Sequence, residues 1–413
     1  MIRLLARYSI SIAVAAFAAP DAAAQPADAW TACRKAPTRA CIFDEAIRRA
    51  RDDAPARDVP RFAVWESGLH ERLSQIAEAK RDRALFAEAK RVANSRLVLE
   101  GARDTALQMI ALAEVRAGFV SDAVRTIEGL SDPGAAPAEI AAALAGSGRL
   151  GEALEIIERT RVPAARALAW IRLARATRNA AWLDKAWVSM RAIEDAYEQS
   201  AQHRNLAVAH AELGRVDRAL RTIPDIAVRA YQALALADIA RLTGDASHLD
   251  QAKRRAAGLN DQLVDLEAWR AIVRVQIALG RLTDAVQSLK RPELESQPGT
   301  LADDAGELAA AYWIKDGPKK AEAVLNEVLR GYADRFWGPA RFALAVGLAD
   351  AGRFDSALLM AFLSDESDVD WALAQIAVAQ AKSGDLKSAL DTADKIRAPG
   401  ARSPALARIA ARL

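Results

Sequence analysis

The chain has few of the residues on which most site chemistry depends. Only two cysteines and four histidines occur in 413 residues, and aromatic residues make up 6%. The histidines are scattered, and no carboxylate completes a recognisable metal-ligand set with His70, His203, His210 or His248. Neither a Gly-x-Ser-x-Gly nucleophile motif nor a Gly-rich phosphate loop occurs. We therefore predict a protein without catalytic residues, metal or cofactor.

Neither sign of charge is in excess. The formal net charge is +3, or +2 once Arg3, Arg7 and Asp21 are removed with the first 24 residues. Acids and bases are interspersed along the chain, which is not the basic footprint of a nucleic-acid-binding protein. Adjacent carboxylates such as Asp303 and Asp304 are interpreted as exposed helix-start or surface charge rather than as a catalytic pair.

A long apolar run is missing everywhere except near the start. Arg3 and Arg7 precede an apolar stretch at residues 9–19, and the three alanines at residues 22–24 form a small-residue cleavage site. That pattern predicts a signal peptide over residues 1–24, cut near Ala24, and a periplasmic or secreted protein. Eleven apolar residues are fewer than the ~20 that cross a bilayer, so we expect no membrane span after cleavage.

Both cysteines follow closely on the predicted cleavage site. Because an exported chain meets an oxidising compartment, we predict a disulfide between Cys33 and Cys41. A metal site would need two further ligands, and no histidine lies nearby. The closed loop is short, and the chain-entropy model gives ~2–3 kcal/mol of stabilisation.

What the sequence does contain is alanine in a regular phrase. Strand patterns are absent, apolar residues reach 52%, and much of that fraction is alanine, a strong helix former. A Gly-x-x-x-x-Ala phrase recurs, as in Gly214-Arg-Val-Asp-Arg-Ala219 and Gly280-Arg-Leu-Thr-Asp-Ala285. The alanines that close the phrase lie about 33 residues apart: Ala89, Ala123, Ala153, Ala186, Ala219, Ala252, Ala285, Ala321, Ala357 and Ala389.

The phrase predicts one helix hairpin per repeat. A stretch with helical apolar spacing precedes each Gly, which ends that helix because it adopts a left-handed backbone cheaply. The second helix follows, with the Ala where the two helices cross closely. Three units, at Arg81, Arg178 and Gly244, have three more residues before the Ala, and we predict a longer turn there. Each hairpin needs a stacked neighbour to bury its apolar face.

The turns resemble those of the tetratricopeptide repeat (TPR) family, usually a Gly-Asp-Tyr-x-x-Ala-Ile/Leu pattern. Gly352-Arg-Phe-Asp-Ser-Ala-Leu358 and Gly384-Asp-Leu-Lys-Ser-Ala-Leu390 carry the likeness, and Trp269 falls where the family often has an aromatic residue. The resemblance covers roughly residues 65–413 and implies an α-solenoid that binds proteins or peptides. In the first helix Ala replaces the family's usual Gly and Tyr. HEAT or armadillo arrays are the competing assignment, although their ~40–47-residue period fits less well.

The predicted fold is therefore an all-α, TPR-like solenoid (superhelix) of about ten stacked antiparallel hairpins. Residues 25–60 are predicted to form a disulfide-bearing helical cap and linker, and residues 61–413 the solenoid, with a possible break at 291–300. Ser403-Pro404 predicts a last helix, whose arginines Arg408 and Arg412 suit a polar end cap.

The predicted function rests on the surface of this superhelix. The first helix of each TPR hairpin usually lines the concave side, where a basic stripe would grip an acidic peptide or a terminal carboxylate. The candidate partner-binding residues are Arg172, Arg175, Arg204, Arg241, Arg270 and Arg274. The alternatives are an accessory of a peptidoglycan enzyme system and a purely structural, self-associating solenoid. Partner identity and oligomeric state stay open.

Overall fold

The computed structural model describes residues 27–52, 68–96, 100–128, 130, 134–259, 263–291, 294, 298–332 and 334–413. Within these ranges the chain forms helices joined by short connections and no β-strand, which confirms the predicted all-α class. The predicted signal peptide lies outside the described residues, as do residues 53–60 of the predicted linker and most of the segment between 291 and 298.

Two helices precede a series of ten helix pairs, and one further helix follows it. The outlying helices are α1 (Ala27–Lys35), α2 (Arg39–Asp52) and α23 (Pro399–Ala410). The first helices of the pairs are α3 (Leu69–Lys80), α5 (Glu100–Arg116), α7 (Ala136–Gly146), α9 (Pro163–Thr177), α11 (Ala196–Glu212), α13 (Arg229–Thr243), α15 (Leu263–Ala278), α17 (Pro298–Asp316), α19 (Trp337–Asp350) and α21 (Glu366–Lys382). The second helices are α4 (Arg83–Arg96), α6 (Val120–Ile127), α8 (Leu150–Arg159), α10 (Trp182–Met190), α12 (Val216–Thr222), α14 (Ala246–Ala256), α16 (Leu282–Leu289), α18 (Pro318–Val328), α20 (Phe354–Phe362) and α22 (Leu386–Ala393).

The glycine of the repeated phrase ends the first helix of a pair, as predicted. Gly214 has φ 76°, its N–H donates to the carbonyl of Ala211 (3.0 Å), and the N–H of Arg215 donates to that of His210 (2.8 Å). These two bonds satisfy carbonyl groups that the helix end would otherwise leave unpaired. Arg81 and Arg178 occupy the same left-handed position in two pairs and are the only non-glycine residues with positive φ in the described chain.

The prediction of a longer turn is wrong for two of the three units concerned. α4 begins two residues after Arg81 and α14 two residues after Gly244, the same interval as between Gly214 and α12. The three additional residues form an extra N-terminal turn of the second helix. Asp82 and Asp245 cap these helices by accepting hydrogen bonds from backbone N–H groups, which stabilises an early helix start.

The alanines that close the phrase lie where the helices pack most closely. Every one of them is 0% exposed, and so is Ala46 in α2: Ala89, Ala123, Ala153, Ala186, Ala219, Ala252, Ala285, Ala321, Ala357 and Ala389. A larger side chain at these points would separate the backbones of the two helices. The repeat in the sequence is therefore a repeat of close helix contacts.

The first helices make a continuous series of contacts. Each packs against the first helix of the next pair, from α3 through α21, and α21 packs against α23. The second helices, by contrast, mostly contact only the helices that flank them in sequence. The first helices are thus packed side by side, and the second helices form a second layer against them.

The series of contacts closes on itself, because the last helix packs against the first ones. α23 packs against α3 in the way that successive first helices pack against each other. It packs against α2 in the way that the two helices of a pair do. Leu406 and Ile409 of α23 are buried in the same hydrophobic cluster as Ile42 and Phe43 of α2. The prediction that α23 forms a polar end cap is therefore wrong, although Arg408 and Arg412 are exposed. An eleventh pair is assembled from the two ends of the chain.

A disulfide and a group of polar contacts hold α1 beside this closing pair. Cys33 and Cys41 form the predicted disulfide, with their Cα atoms 5.9 Å apart. Trp30 Nε1 donates to Asp394 Oδ1 (3.0 Å), and Arg34 forms ion pairs with Asp391 and Asp394 near the end of α22. The disulfide therefore anchors a short helix that bridges the two ends of the chain.

Candidate binding surface

The six predicted arginines all lie on first helices, α9, α11, α13 and α15, and each is paired with a carboxylate. On α9, Arg172 forms an ion pair with Glu139 of α7 (3.0 Å), and Arg175 with Glu212 of α11. These pairs link one first helix to the next. Both partner carboxylates, Glu139 and Glu212, lie on helices next to α9 rather than on α9 itself.

On α11 and α13, one carboxylate forms ion pairs with two arginines. Asp238 Oδ2 accepts a hydrogen bond from Arg204 Nη2 at 2.8 Å, and Asp238 Oδ1 lies 3.9 Å from Arg241 Nη2. Arg204 and Asp238 are 34 positions apart, about one repeat, so equivalent positions on adjacent first helices lie side by side. This spacing is the sequence signal that could have predicted the pairing.

The carboxylate that pairs α17 with α15 is buried. Arg270 Nε lies 3.0 Å from Asp304 Oδ2, and Arg274 Nη2 lies 3.3 Å from Asp304 Oδ1. Asp304 is 0% exposed, so the interpretation of this carboxylate as surface charge is wrong. Burial raises the pKa of Asp304 to about 6, against the opposing attraction of Arg270 and Arg274.

The first helices therefore present a belt of alternating charges rather than a free basic stripe. An ion pair that is part-exposed contributes little to stability, but it fixes the position of each charged group. Whether these arginines bind a partner stays a prediction.

A groove runs across α11, α13 and α15 and brings three of the six arginines together. Its cavity of about 480 Å³ is bordered by Arg204, Arg241 and Arg274 together with the carboxylates of Asp238 and Glu267. Its remaining wall is apolar and includes Tyr231, Leu234, Leu263, Val264 and Val275. Leu263 is 75% exposed, the highest exposure among the exposed large hydrophobic residues of the described chain. Arg172, Arg175 and Arg270 do not line this groove.

A second cavity, which sequence reasoning missed, lies where the chain ends meet. It has a volume of about 740 Å³ and is bordered by α2, α3, α5, α21 and α23. Six cations line it: Arg39, Arg81, Arg116, Lys382, Arg408 and Arg412. They are far apart in sequence, and no local spacing brings them together.

No group of three or more His, Cys, Asp or Glu side chains in the described part of the chain is placed to hold a metal ion. His203 packs its ring 5.1 Å from that of Trp187, and burial lowers its pKa. Among the described helices, none combines the length and the apolar character that crossing a bilayer requires.

The comparisons with known proteins do not place the chain in a family. No protein-family model matches it, and no curated protein is significantly similar to it.

Proposed function

We propose that this protein is an exported, TPR-like α-solenoid whose ends join, and that it acts as a non-catalytic scaffold that binds another protein or a peptide. The ten consecutive helix pairs, the side-by-side first helices and the repeat of buried alanines support the solenoid. The amino-terminal segment with the pattern of a signal peptide and the Cys33–Cys41 disulfide support export.

The groove across α11, α13 and α15 is the observation that carries this proposal. Charged groups of both signs are held in place by their mutual pairing and lie beside the exposed side chain of Leu263. A peptide laid across three helices, each ~10 Å from the next, would span ~20 Å, which corresponds to about six extended residues. Such a segment can pack an apolar side chain against Leu263, and its charged groups can form ion pairs with the arginines and the aspartate of the groove.

Site-specific photocrosslinking in intact cells tests this proposal. A photoreactive amino acid at Leu263 should give a discrete crosslinked protein, while the same amino acid at Val188, which is 66% exposed on α10, should not. The double substitution Arg204→Gln and Arg241→Gln should abolish the product without unfolding the chain, because both side chains are partly exposed.

A product of equal strength from Leu263 and Val188 would contradict the groove as the binding surface. Clearing of a peptidoglycan zymogram by the purified protein would contradict the non-catalytic part of the proposal. Self-association through free array ends is disfavoured, because the described ends pack against each other.

A further inference from the structure

The cavity at the junction of the chain ends is distinguished by unpaired positive charge. Arg116 pairs with Glu78 (2.8 Å), the one carboxylate among the lining residues. The other five cations have no ion pair with any carboxylate in the described chain: Arg39, Arg81, Lys382, Arg408 and Arg412. This contrasts with the six paired arginines of α9 to α15.

Helix ends do not account for this charge. α3, α5, α21 and α23 point their carboxyl ends at the cavity, and each end contributes about half a negative charge, or about two in all. Five unpaired cations exceed that by about three charges. Arg39 begins α2, where the positive end of the helix dipole disfavours a cation.

The position of Arg81 also has a backbone cost. Its φ is 57°, at a point where most of the other pairs have glycine, and a left-handed conformation is unfavourable for a residue with a Cβ. The guanidinium group at this point lines the cavity. Arg178 has the same conformation in another pair and does not line the cavity, so the contribution of Arg81 is its position in the cavity wall.

A smaller cavity, of about 280 Å³, shares part of its wall with the basic cavity. The two share Gln75, Gln375, Val378 and Arg408 in their walls. Trp371 lines the smaller cavity with 48% of its surface exposed. Glu71 and Arg72 also line it. A cationic chamber therefore adjoins a half-exposed indole ring and two amide side chains.

We propose that this junction binds a small, multiply phosphorylated molecule that carries a ring, with its phosphate groups among the five unpaired cations and its ring against Trp371. A cavity of about 740 Å³ is within the usual size of a small-molecule site, ~300–1,000 Å³. Arginine is suited to bidentate recognition of phosphate oxygens.

Charge density favours phosphate over an acidic peptide. A phosphate group carries about 1.5–2 negative charges at neutral pH, so two of them balance the excess of about three charges within one compact group. Carboxylates of an extended peptide are at least ~3.3 Å of chain apart, and three of them need ~10 Å. All five unpaired cations line the same cavity.

The walls of the site come from both ends of the chain, so binding is coupled to closure. A ligand that contacts Arg39 and Arg81 on one side and Arg408 and Arg412 on the other favours the state in which α2, α3 and α23 are packed together. Binding should therefore raise the melting temperature as well as occupy the site.

Calorimetric titration of the full mature chain with tripolyphosphate, adenosine triphosphate and fructose 1,6-bisphosphate tests the proposal. We expect saturable binding at one site, and an affinity that falls with added salt. The double variant Arg408→Gln and Arg412→Gln should bind tripolyphosphate at least about tenfold more weakly. Both side chains are exposed, and circular dichroism checks that the variant folds.

The matched control is Arg254→Gln with Arg255→Gln, two exposed arginines on α14 outside the cavity. The control should bind all three probes as the natural chain does. Trp371→Ala should weaken the binding of adenosine triphosphate or fructose 1,6-bisphosphate more than the binding of tripolyphosphate. The probe whose binding is weakened more shows whether the ring is a base or a sugar.

Three results would overturn the proposal. One is equal weakening by the control pair, which would indicate general attraction to surface charge. Another is unchanged tripolyphosphate binding by Arg408→Gln with Arg412→Gln. The third is tight binding of a hexaglutamate peptide when none of the phosphates binds. None of these bears on crosslinking at Leu263, so the partner-binding proposal fails or holds separately.

Discussion

At the scale of single residues, buried histidines make the fold sensitive to acid. His210 lies in α11 with 9% of its surface exposed. Burial, with Arg215 and Arg218 nearby, lowers its pKa to about 4. The folded state therefore disfavours the protonated ring, whereas the unfolded chain binds a proton near pH 6.5. Stability from this residue is complete above pH 6.5 and is lost as the pH falls toward 4.

We expect His210→Gln to flatten the pH dependence of unfolding. Between pH 7 and pH 4.5 the natural chain should lose about 2–3 kcal/mol through His210 alone, and the variant should lose correspondingly less. Urea unfolding at the two pH values measures the difference. His203 adds to the loss in both proteins, because burial lowers its pKa as well. Equal losses in the two proteins would show that His210 is already protonated in the folded state.

For some single residues, the sequence pattern was sufficient to predict the surroundings of the residue in the fold. The buried alanines and Gly214 have the surroundings that the repeated phrase predicted, because they act within one hairpin. Asp304 does not, since its burial depends on α15, the first helix of the preceding pair. A side chain's neighbours on its own hairpin are encoded locally, whereas its neighbours on the next hairpin depend on how the hairpins stack.

At the scale of elements, α17 and α19 pack closely at two glycines, one on each helix. A Cβ built on Gly306 of α17 would lie 2.2 Å from the carbonyl oxygen of Ala340 and 2.7 Å from the Cβ of Ala343. One built on Gly347 of α19 would lie 2.5 Å from the Cβ of Ala310. The two helices therefore pack at a distance that no other residue at these positions allows.

Gly306→Ala should destabilise the protein by about 2–3 kcal/mol, because the two backbones must move apart. Chemical denaturation measures the change in the free energy of unfolding. The control is Gly151→Ala in α8, where a Cβ meets nothing within 4 Å and helix propensity favours alanine. A loss of stability in Gly151→Ala as large as that in Gly306→Ala would contradict close packing as the cause.

At the scale of the whole molecule, the closing contact makes one end of the chain depend on the other. In an open array, removal of the last helix exposes only its neighbour. Here α23 packs against α21, α2 and α3, and one hydrophobic cluster includes residues from both ends. Trp30 and Asp394, which are 364 positions apart, are joined by a hydrogen bond.

We expect removal of residues 399–413 to reduce the protection of backbone amides in α2 against hydrogen exchange. Backbone amides of α2 around Ile42 and Phe43 should exchange with solvent much faster, because those side chains lose their cover. Hydrogen exchange followed by mass spectrometry measures this. Removal of residues 411–413 alone, which are exposed, is the control. Unchanged exchange in α2 after the larger truncation would contradict the closed arrangement.

The sequence by itself determined the helical class, the pairs and the close contact within each of them. These features depend on residues within one repeat of each other, where glycine, alanine and apolar spacing act directly on the backbone. The sequence also contained a spacing that indicates ion pairs between adjacent first helices. Arg204 and Asp238, like Arg270 and Asp304, lie 34 positions apart, which is about one repeat. Only the tertiary structure decided that the last helix packs against the first described ones, and so created the basic cavity between them. Closure depends on how all the successive hairpins stack on one another, and no pattern within one repeat specifies that.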